Sequence, residues 1–443
     1  MRLLVFCHNH PDIQPGGTEV VARGLFRELR DRHGVEGLFL GAVTAQHRER
    51  RPGTLFQAAG KHPDEMLVWL GHFDRFQLAQ PDTWGLAELA PFVEAFAPDI
   101  IHFHHLLYFG LETLELVRRV APRARIIVTL HDFFALCPQE GQLLTTDGRL
   151  CPGPSIDACH RCFPARGTTD LMLRELAVRG AFAGVDLLLS PSEFLKARFV
   201  AAGWDAGRIE VLRNGIAEGP PAPHRPLPLG GRRDRFGFFG HINRFKGAMV
   251  ALGASARLAR LEVPHELALH GGTAWQPDEF LADFRTALEA APDARHHGLY
   301  GAADLPARIA SVDWVIMPSI WWENAPLVAM EAFRHRRPVI CGNIGGMAES
   351  VRDGVDGLHF PVGDATGLAA VMQRAVEDRR LWARLVAGIT PPRGIALAAR
   401  EHLALYRRLL APAPAAPPVP AAPAKRPARA APPAGGKRRV RAG

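Results

Sequence analysis

Two carboxylates, Glu323 and Glu331, stand eight residues apart in the run PSIWWENAPLVAMEAFRHRRPVICGNIGGMAESVRDGVDG, Pro318 to Gly357. The spacing alone decides little, since Glu331 also reads as a solvated helix acid and Glu323 as a surface loop residue. The surroundings say more. A short apolar run, Val312 to Met317, reads as a buried strand that stops at Pro318 and Ser319. A helix is expected to start at Asn324, whose side chain can accept from a free backbone N–H, with Pro326 in the first turn sacrificing no helical bond. Leu327, Val328, Met330 and Phe333 supply its apolar faces, and His335-Arg336-Arg337 closes it where the helix dipole favours cations. A second buried strand, Pro338 to Cys341, runs into Gly345-Gly346 and a short helix carrying Glu349. The free N–H groups near Ala325 and at the glycine turn are two neighbouring places where a phosphate could sit.

Three further constellations could carry chemistry. Gly16-Gly17-Thr18-Glu19 joins a first strand, ending at His8, to an amphipathic helix, Val20 to Arg32, with Val20, Val21, Leu25, Phe26 and Leu29 on one face. Strand, glycine turn and helix can cradle phosphate, or the glycines simply start a helix. The turn is not G-x-G-x-x-G, which disfavours a nicotinamide cofactor. His8, His102, His104, His105 and His131 all fall near the carboxyl ends of expected strands, the rim where open α/β sheets bind ligands. Cys137, Cys151, Cys159 and Cys162 have the spacing C-x13-C-x7-C-x2-C in a loop rich in Gly, Pro and Asp. Four of the chain's six cysteines within 26 residues suggest structural zinc, with His160 as a substitute ligand, or else a set of reduced, buried thiols.

The elements that must hold these groups alternate. At 443 residues the chain has room for two or three domains, and its 47% hydrophobic and 22% charged residues are ordinary for a globular protein. Strand and helix patterns recur through both halves, which predicts an α/β fold of two Rossmann-like, doubly wound domains facing a cleft. The expected division is a first domain over 1–215 with the cysteine-rich insert 137–162, a linker over 216–235, and a second domain over 236–395. A closing helix over 396–411 and an Ala/Pro/basic tail over 412–443 complete the chain. The net charge of +8 falls to about +1 without the tail's seven basic residues, so no nucleic-acid partner is expected. The tail reads either as a solubilising extension or as a tether to anionic lipid. No uninterrupted apolar run is long enough to span a bilayer, and the first residues read as a sheet strand rather than a leader, so the expectation is cytoplasmic.

The run from strand through Trp321-Trp322-Glu323, helix, Glu331, Arg337-Pro338 and Gly345-Gly346 resembles the donor site of retaining glycosyltransferases of family 4, with the GT-B fold. PSEFLKARF and RIEVLRNGI resemble that family too, so the likeness covers about residues 1 to 410. The resemblance implies a nucleoside diphosphate sugar donor and a glycan or lipid-linked acceptor. It places Glu323 near the donor sugar and Glu331 on the ribose hydroxyls. Asn324, Ala325, Leu327, Gly345 and Gly346 fall around the donor, and Gly16-Gly17 near the donor phosphates or the acceptor. The TLHD segment places His131 at the donor sugar, and the turn Gly240 to Gly247 places Lys246 at the pyrophosphate. Where the family usually has Arg in that turn this chain has His241, leaving Arg244 to supply the second charge or His241 to hydrogen-bond instead. With no D-x-D near the donor site, a catalytic metal is not required. The rival readings are a sugar-nucleotide epimerase or phosphorylase on a similar scaffold, and a non-catalytic binding protein.

Overall fold

A computed structural model of the chain describes residues 1–60, 62–412 and 443. Eight strands form the first sheet: β1 (Arg2–Cys7), β2 (Glu36–Val43), β3 (Phe56–Ala58), β4 (Glu65–Trp69), β5 (Ile100–Phe103), β6 (Arg125–Thr129), β7 (Leu187–Ser190) and β8 (Ile209–Val211). Their order is β3-β4-β2-β1-β5-β6-β7-β8, parallel except where β3 meets β4. The second sheet holds β9 (Arg235–Phe239), β10 (Glu266–His270), β11 (Ala294–His296), β12 (Trp314–Met317), β13 (Val339–Gly342) and β14 (Gly357–Phe360), in the order β11-β10-β9-β12-β13-β14. All its pairs are parallel. Near-continuous apolar strands such as Leu-Val-Phe-Cys and Trp-Val-Ile-Met follow from sheets covered by helices on both faces.

The strand order reverses direction beside β1 in the first sheet and beside β9 in the second. These switch points leave crevices at the strands' carboxyl ends, and the expected site residues follow β1, β6, β9, β12 and β13. The last helix, Ile395–Leu410, returns to the first domain: Ala399, Leu403, Leu405 and Tyr406 share a core with Leu3, Val5, Leu25 and Phe26. Tyr406 Oη lies 2.7 Å from His102 Nδ1, inside β5. This helix therefore ties the second domain back to the first. Among the described residues no helix is long and apolar enough to cross a membrane. The charges of the expected basic tail, Lys425 to Arg441, lie outside the described residues.

Several local expectations need correction. The first helix is Gly17–His33, and Val20 is exposed rather than on its buried face, which Val21, Ala22, Leu25, Phe26 and Leu29 make. The helix expected at Asn324 begins at Leu327, after Pro326, because Asn324 turns its side chain to the other domain. His335-Arg336-Arg337 does more than balance a dipole. Arg337 is fully buried and donates to the carbonyls of Val312, His335 and Pro223, while Arg336 donates to Val386 and Ile389.

Candidate active site

Glu323 is buried at the end of the loop leaving β12. Its Oε1 accepts from Lys246 Nζ at 2.7 Å, Ser319 Oγ at 2.7 Å and Trp321 Nε1 at 3.0 Å. Burial pushes this carboxyl up, but the Lys246 charge and the three donors outweigh it and hold the group below the usual carboxylate range. Glu323 is thus an ionised, fixed carboxylate.

Backbone contacts fix the loop around it. The Gly346 N–H donates to Glu323 O at 2.6 Å, and a Cβ on Gly346 would stand 2.0 Å from Asn324 O. Gly345 adopts a φ of +56°, open to glycine and costly for other residues. The glycine turn therefore lets two loops touch. With its Gly346 N–H already paired, it does not offer that donor to a phosphate. Gly247 does the same on the other side: a Cβ there would lie 1.9 Å from Pro318 O. The Ile320 N–H donates to Phe245 O at 2.9 Å, so the turn carrying Lys246 and the loop carrying Glu323 form one unit.

The charged residues of the turn divide their work. Lys246 is bound to Glu323. His241 Nε2 lies 3.1 Å from Gln276 Nε2; burial, then the Lys246 charge, lowers its pKa, making it a neutral hydrogen-bonding group. Arg244 is exposed, with no ion-pair partner among the described residues. Arg244 is therefore the cation of this turn left free to meet an anion. The helix Leu327–Arg334 has no side-chain cap at its start; the Ala329 N–H donates to Pro326 O at 3.2 Å, while those of Leu327 and Val328 have no partner among the described residues and can meet an anion beside Ala325. Glu331 lies on that helix, and burial pushes its carboxyl up to about 7, with Arg334 opposing.

The first domain supplies the facing wall. Asn324 Nδ2 donates to His131 O at 3.0 Å across the cleft, and Asn324 Oδ1 is buried with no partner among the described residues. His104 Nδ1 lies 3.1 Å from His131 Nε2, while burial, then the neighbouring histidines, holds His131 well below the usual imidazole range. His131 is a neutral hydrogen-bonding group. His105 Nε2 lies 2.8 Å from Asp132 Oδ2, and His8 Nε2 lies 2.9 Å from Glu19 Oε1. The five expected histidines do gather, although His102 is enclosed within the first domain between Thr129 and Tyr406.

At Gly16-Gly17 a carboxylate of the chain itself stands beside the helix start. A Cβ on Gly16 would lie 2.5 Å from Glu19 Oε2, so the anion at this helix start is the chain's own carboxylate, paired with His8. Gly17 still faces the cleft, since a Cβ there would touch Leu327 Cδ1 at 3.6 Å. Ser319, Glu19 and Asn324 Oδ1 were not legible as a set from the sequence. Ser319 had one clue, its place just after the strand end.

The cysteine insert reaches the same site from the first domain. Trp322 Nε1 donates to Cys151 O at 3.1 Å, while its neighbour Trp321 donates to Glu323. The tryptophan pair therefore splits between the two domains. Cys137, Cys151, Cys159 and Cys162 line one small cavity, and all are free thiols. As placed, no group of three His, Cys, Asp or Glu among the described residues is arranged to hold a metal ion.

Two sheets, parallel but for the β3–β4 edge pair, with their strand ends turned to a shared cleft define a protein of the GT-B class. Residues 15–218 match the family model described as Glycosyltransferase Family 4, and residues 233–378 the model described as Glycosyl transferases group 1, which makes the chain family 4-like. A glycogen synthase of Mycobacterium tuberculosis (strain CDC 1551 / Oshkosh) is 30% identical over 175 residues, 38% of this chain and 40% of that protein. A D-inositol 3-phosphate glycosyltransferase of Nocardioides sp. (strain ATCC BAA-499 / JS614) is 25% identical over 366 residues, 72% of this chain and 78% of that one. The match to the first of these relatives thus spans about 40% of its length. Among solved structures, Anabaena Alr3699/HepE in complex with UDP and glucose superposes with a TM-score of 0.63 at 17% identity, covering 92% of this chain and 99% of that one. Sucrose-phosphate synthase from Thermosynechococcus elongatus gives 0.66 at 19% identity, covering 92% and 99%.

Proposed function

We propose that the protein is a retaining glycosyltransferase that moves a sugar from a nucleoside diphosphate donor to a glycan or lipid-linked acceptor. The observation that carries this is the ionised, triply hydrogen-bonded Glu323, joined to Lys246 and followed by an uncapped helix start at the mouth of the cleft. Similar proteins solved with UDP and glucose, or with ADP and acarbose, favour a nucleotide sugar as the donor.

In this reading the bond from the anomeric carbon to the diphosphate oxygen breaks as a new bond forms from the acceptor hydroxyl on the same face. The hydroxyl proton passes to the departing phosphate. Arg244, Lys246 and the N–H groups after Ala325 stabilise the growing negative charge, while Glu323 faces the positive charge developing on the sugar. Asn324 Oδ1 and His131 are polar groups for the sugar hydroxyls, and Glu331 accepts from the ribose. The setting is the cytoplasmic side of a membrane, with surface polysaccharide or glycolipid as the product class.

Incubation with UDP-, GDP- and ADP-sugars is expected to release nucleoside diphosphate in the presence of an acceptor. The reading fails if none of these donors is bound or turned over. Release of sugar or an epimer without an acceptor would favour the epimerase reading instead. Calorimetry separates the two acids: Glu331→Ala should weaken free nucleotide by about 1.5–3 kcal/mol per lost charge-assisted bond. Glu323→Ala should spare nucleotide affinity and lower turnover, as expected of a contact made mostly in the transition state.

A further inference from the structure

We propose that Cys137, Cys151, Cys159 and Cys162 bind one zinc ion, and that this centre holds the Cys151 carbonyl against Trp322 across the cleft. The four thiols come from separate stretches of the insert yet line a single small cavity, with Pro138, Leu143 and Phe163 between them. The inner half of the insert packs into the first-domain core through Phe133, Leu136 and Leu143, but from Thr145 to Asp170 no residue is buried. Between β6 and the helix Thr168–Ala183 its regular structure is the one short helix Ile156–Cys162 and a bridge from Leu144 to Leu150. An outer stretch with so little core of its own is the setting in which a tetrahedral thiolate site supplies folding energy.

The present sulfur positions belong to protonated thiols. Cys151 Sγ donates to Gly153 O at 3.2 Å, and Cys137 Sγ lies 3.9 Å from Gln139 O. Thiols in that state do not converge on one point, which accounts for the lack of a ready three-ligand group. Metal binding therefore requires the four side chains to turn towards the cavity that they line.

The surrounding charge suits a tetrathiolate ion, whose net charge with Zn²⁺ is −2. Arg174 is buried beside the insert, where it donates to Phe134 O at 2.6 Å, and it lines the adjoining cavity with Cys159. On the other side Arg198 donates to Pro152 O at 2.9 Å, next to Cys151. An all-sulfur, four-ligand set selects zinc among the common divalent ions.

The consequence reaches the candidate site. Cys151 O accepts from Trp322 Nε1 at 3.1 Å, and the Arg198 guanidinium lies 4.3 Å from the Trp322 ring. Trp322 immediately precedes Glu323, so a pinned insert fixes one edge of the loop that carries that carboxylate.

Metal analysis of the full chain purified under reducing conditions is the test. About one zinc per chain is expected, released by a thiol-modifying reagent and reduced at least about tenfold in Cys159→Ser. Replacement by Co²⁺ should give the charge-transfer absorbance of thiolate ligands, a readout that does not require the variant to fold. Trp322→Phe should keep its zinc while loosening the insert, seen as faster amide exchange around Cys151. Zinc below about 0.1 per chain after reconstitution with zinc and reductant would overturn the proposal. So would a disulfide among the four cysteines found by mass spectrometry in protein isolated without reductant.

Discussion

Lys246 Nζ lies 2.7 Å from Glu323 Oε1, joining the loop after β9 to the loop after β12 through one charged hydrogen bond. Glu323 is buried and Lys246 is one-third exposed, so the carboxylate depends on this partner more than the ammonium does. Lys246→Met is expected to cost about 1–3 kcal/mol of stability, because it leaves a buried charge with only neutral donors. The sign with pH follows. Glu323 is held below its ordinary value, so its stabilisation is present above the unfolded carboxylate pKa and is lost as pH falls through the folded one. Acid unfolding curves should therefore flatten in Lys246→Met. Unchanged curves would mean the pair does not hold the carboxylate down.

Gly346 is where the two loops touch most closely. Gly346→Ala puts a methyl against Asn324 O and Glu323 O, at 2.0 and 2.7 Å from the present backbone. The variant should lose about 1–3 kcal/mol, as overpacked sites do, and lose donor binding with it. Gly180→Ala is the control: nothing lies within 4 Å of its added Cβ, and it sits inside the helix Thr168–Ala183. It should be neutral or stabilising by up to about 1 kcal/mol. Thermal melts of the two variants decide the point.

The sequence made the strands around the site legible because buried parallel strands are short apolar runs bounded by turn residues. β12, β13 and the strand before His131 all have that form. The histidine rim was legible through its places at strand ends, whereas Glu323 and Lys246 were singled out by the resemblance to family 4 and not by their positions alone. What the sequence could not carry was direction. Asn324 looked like a helix cap, yet its amide reaches His131 O in the other domain, and no local pattern encodes a partner 193 residues away. Val20 lay on the apolar face by composition, yet the helix turns it to solvent and buries Glu19 beside His8 instead. A buried ion pair overrides periodicity in a way that hydropathy cannot register.

Glu349 works as a latch between the domains. Its Oε1 accepts from Glu193 N at 3.1 Å and its Oε2 from Phe194 N at 2.8 Å, at the start of the helix Glu193–Ala201. Arg213 Nη1 adds a third contact at 2.7 Å. A second-domain carboxylate thus satisfies first-domain helix donors. Glu349→Ala should free the domains to separate, read as a larger radius of gyration by small-angle X-ray scattering. Glu349→Gln, which keeps an acceptor, should recover part of the closed form. An unchanged scattering profile in Glu349→Ala would remove the latch.

Glu331 gives the sharpest dependence on pH. Burial raises its carboxyl to about 7, well above the ordinary value of 4.5, with Arg334 only partly opposing. Between those two values the folded chain holds a proton that the unfolded chain has released. Stability therefore falls as pH rises from about 4.5 to about 7, and the full penalty persists above that. Glu331→Gln, neutral at every pH, should melt higher than the unmodified protein at pH 8 and close to it at pH 4. Nucleotide binding should run the other way. If the ionised carboxylate accepts from ribose hydroxyls, free nucleotide binds with release of a proton, and its affinity weakens as pH falls below about 7. Calorimetry in two buffers of different ionisation enthalpy measures that proton directly. Binding of nucleotide with no proton released near neutral pH would place the ribose elsewhere, and equal melting of Glu331→Gln at both pH values would show the carboxyl to be ordinary.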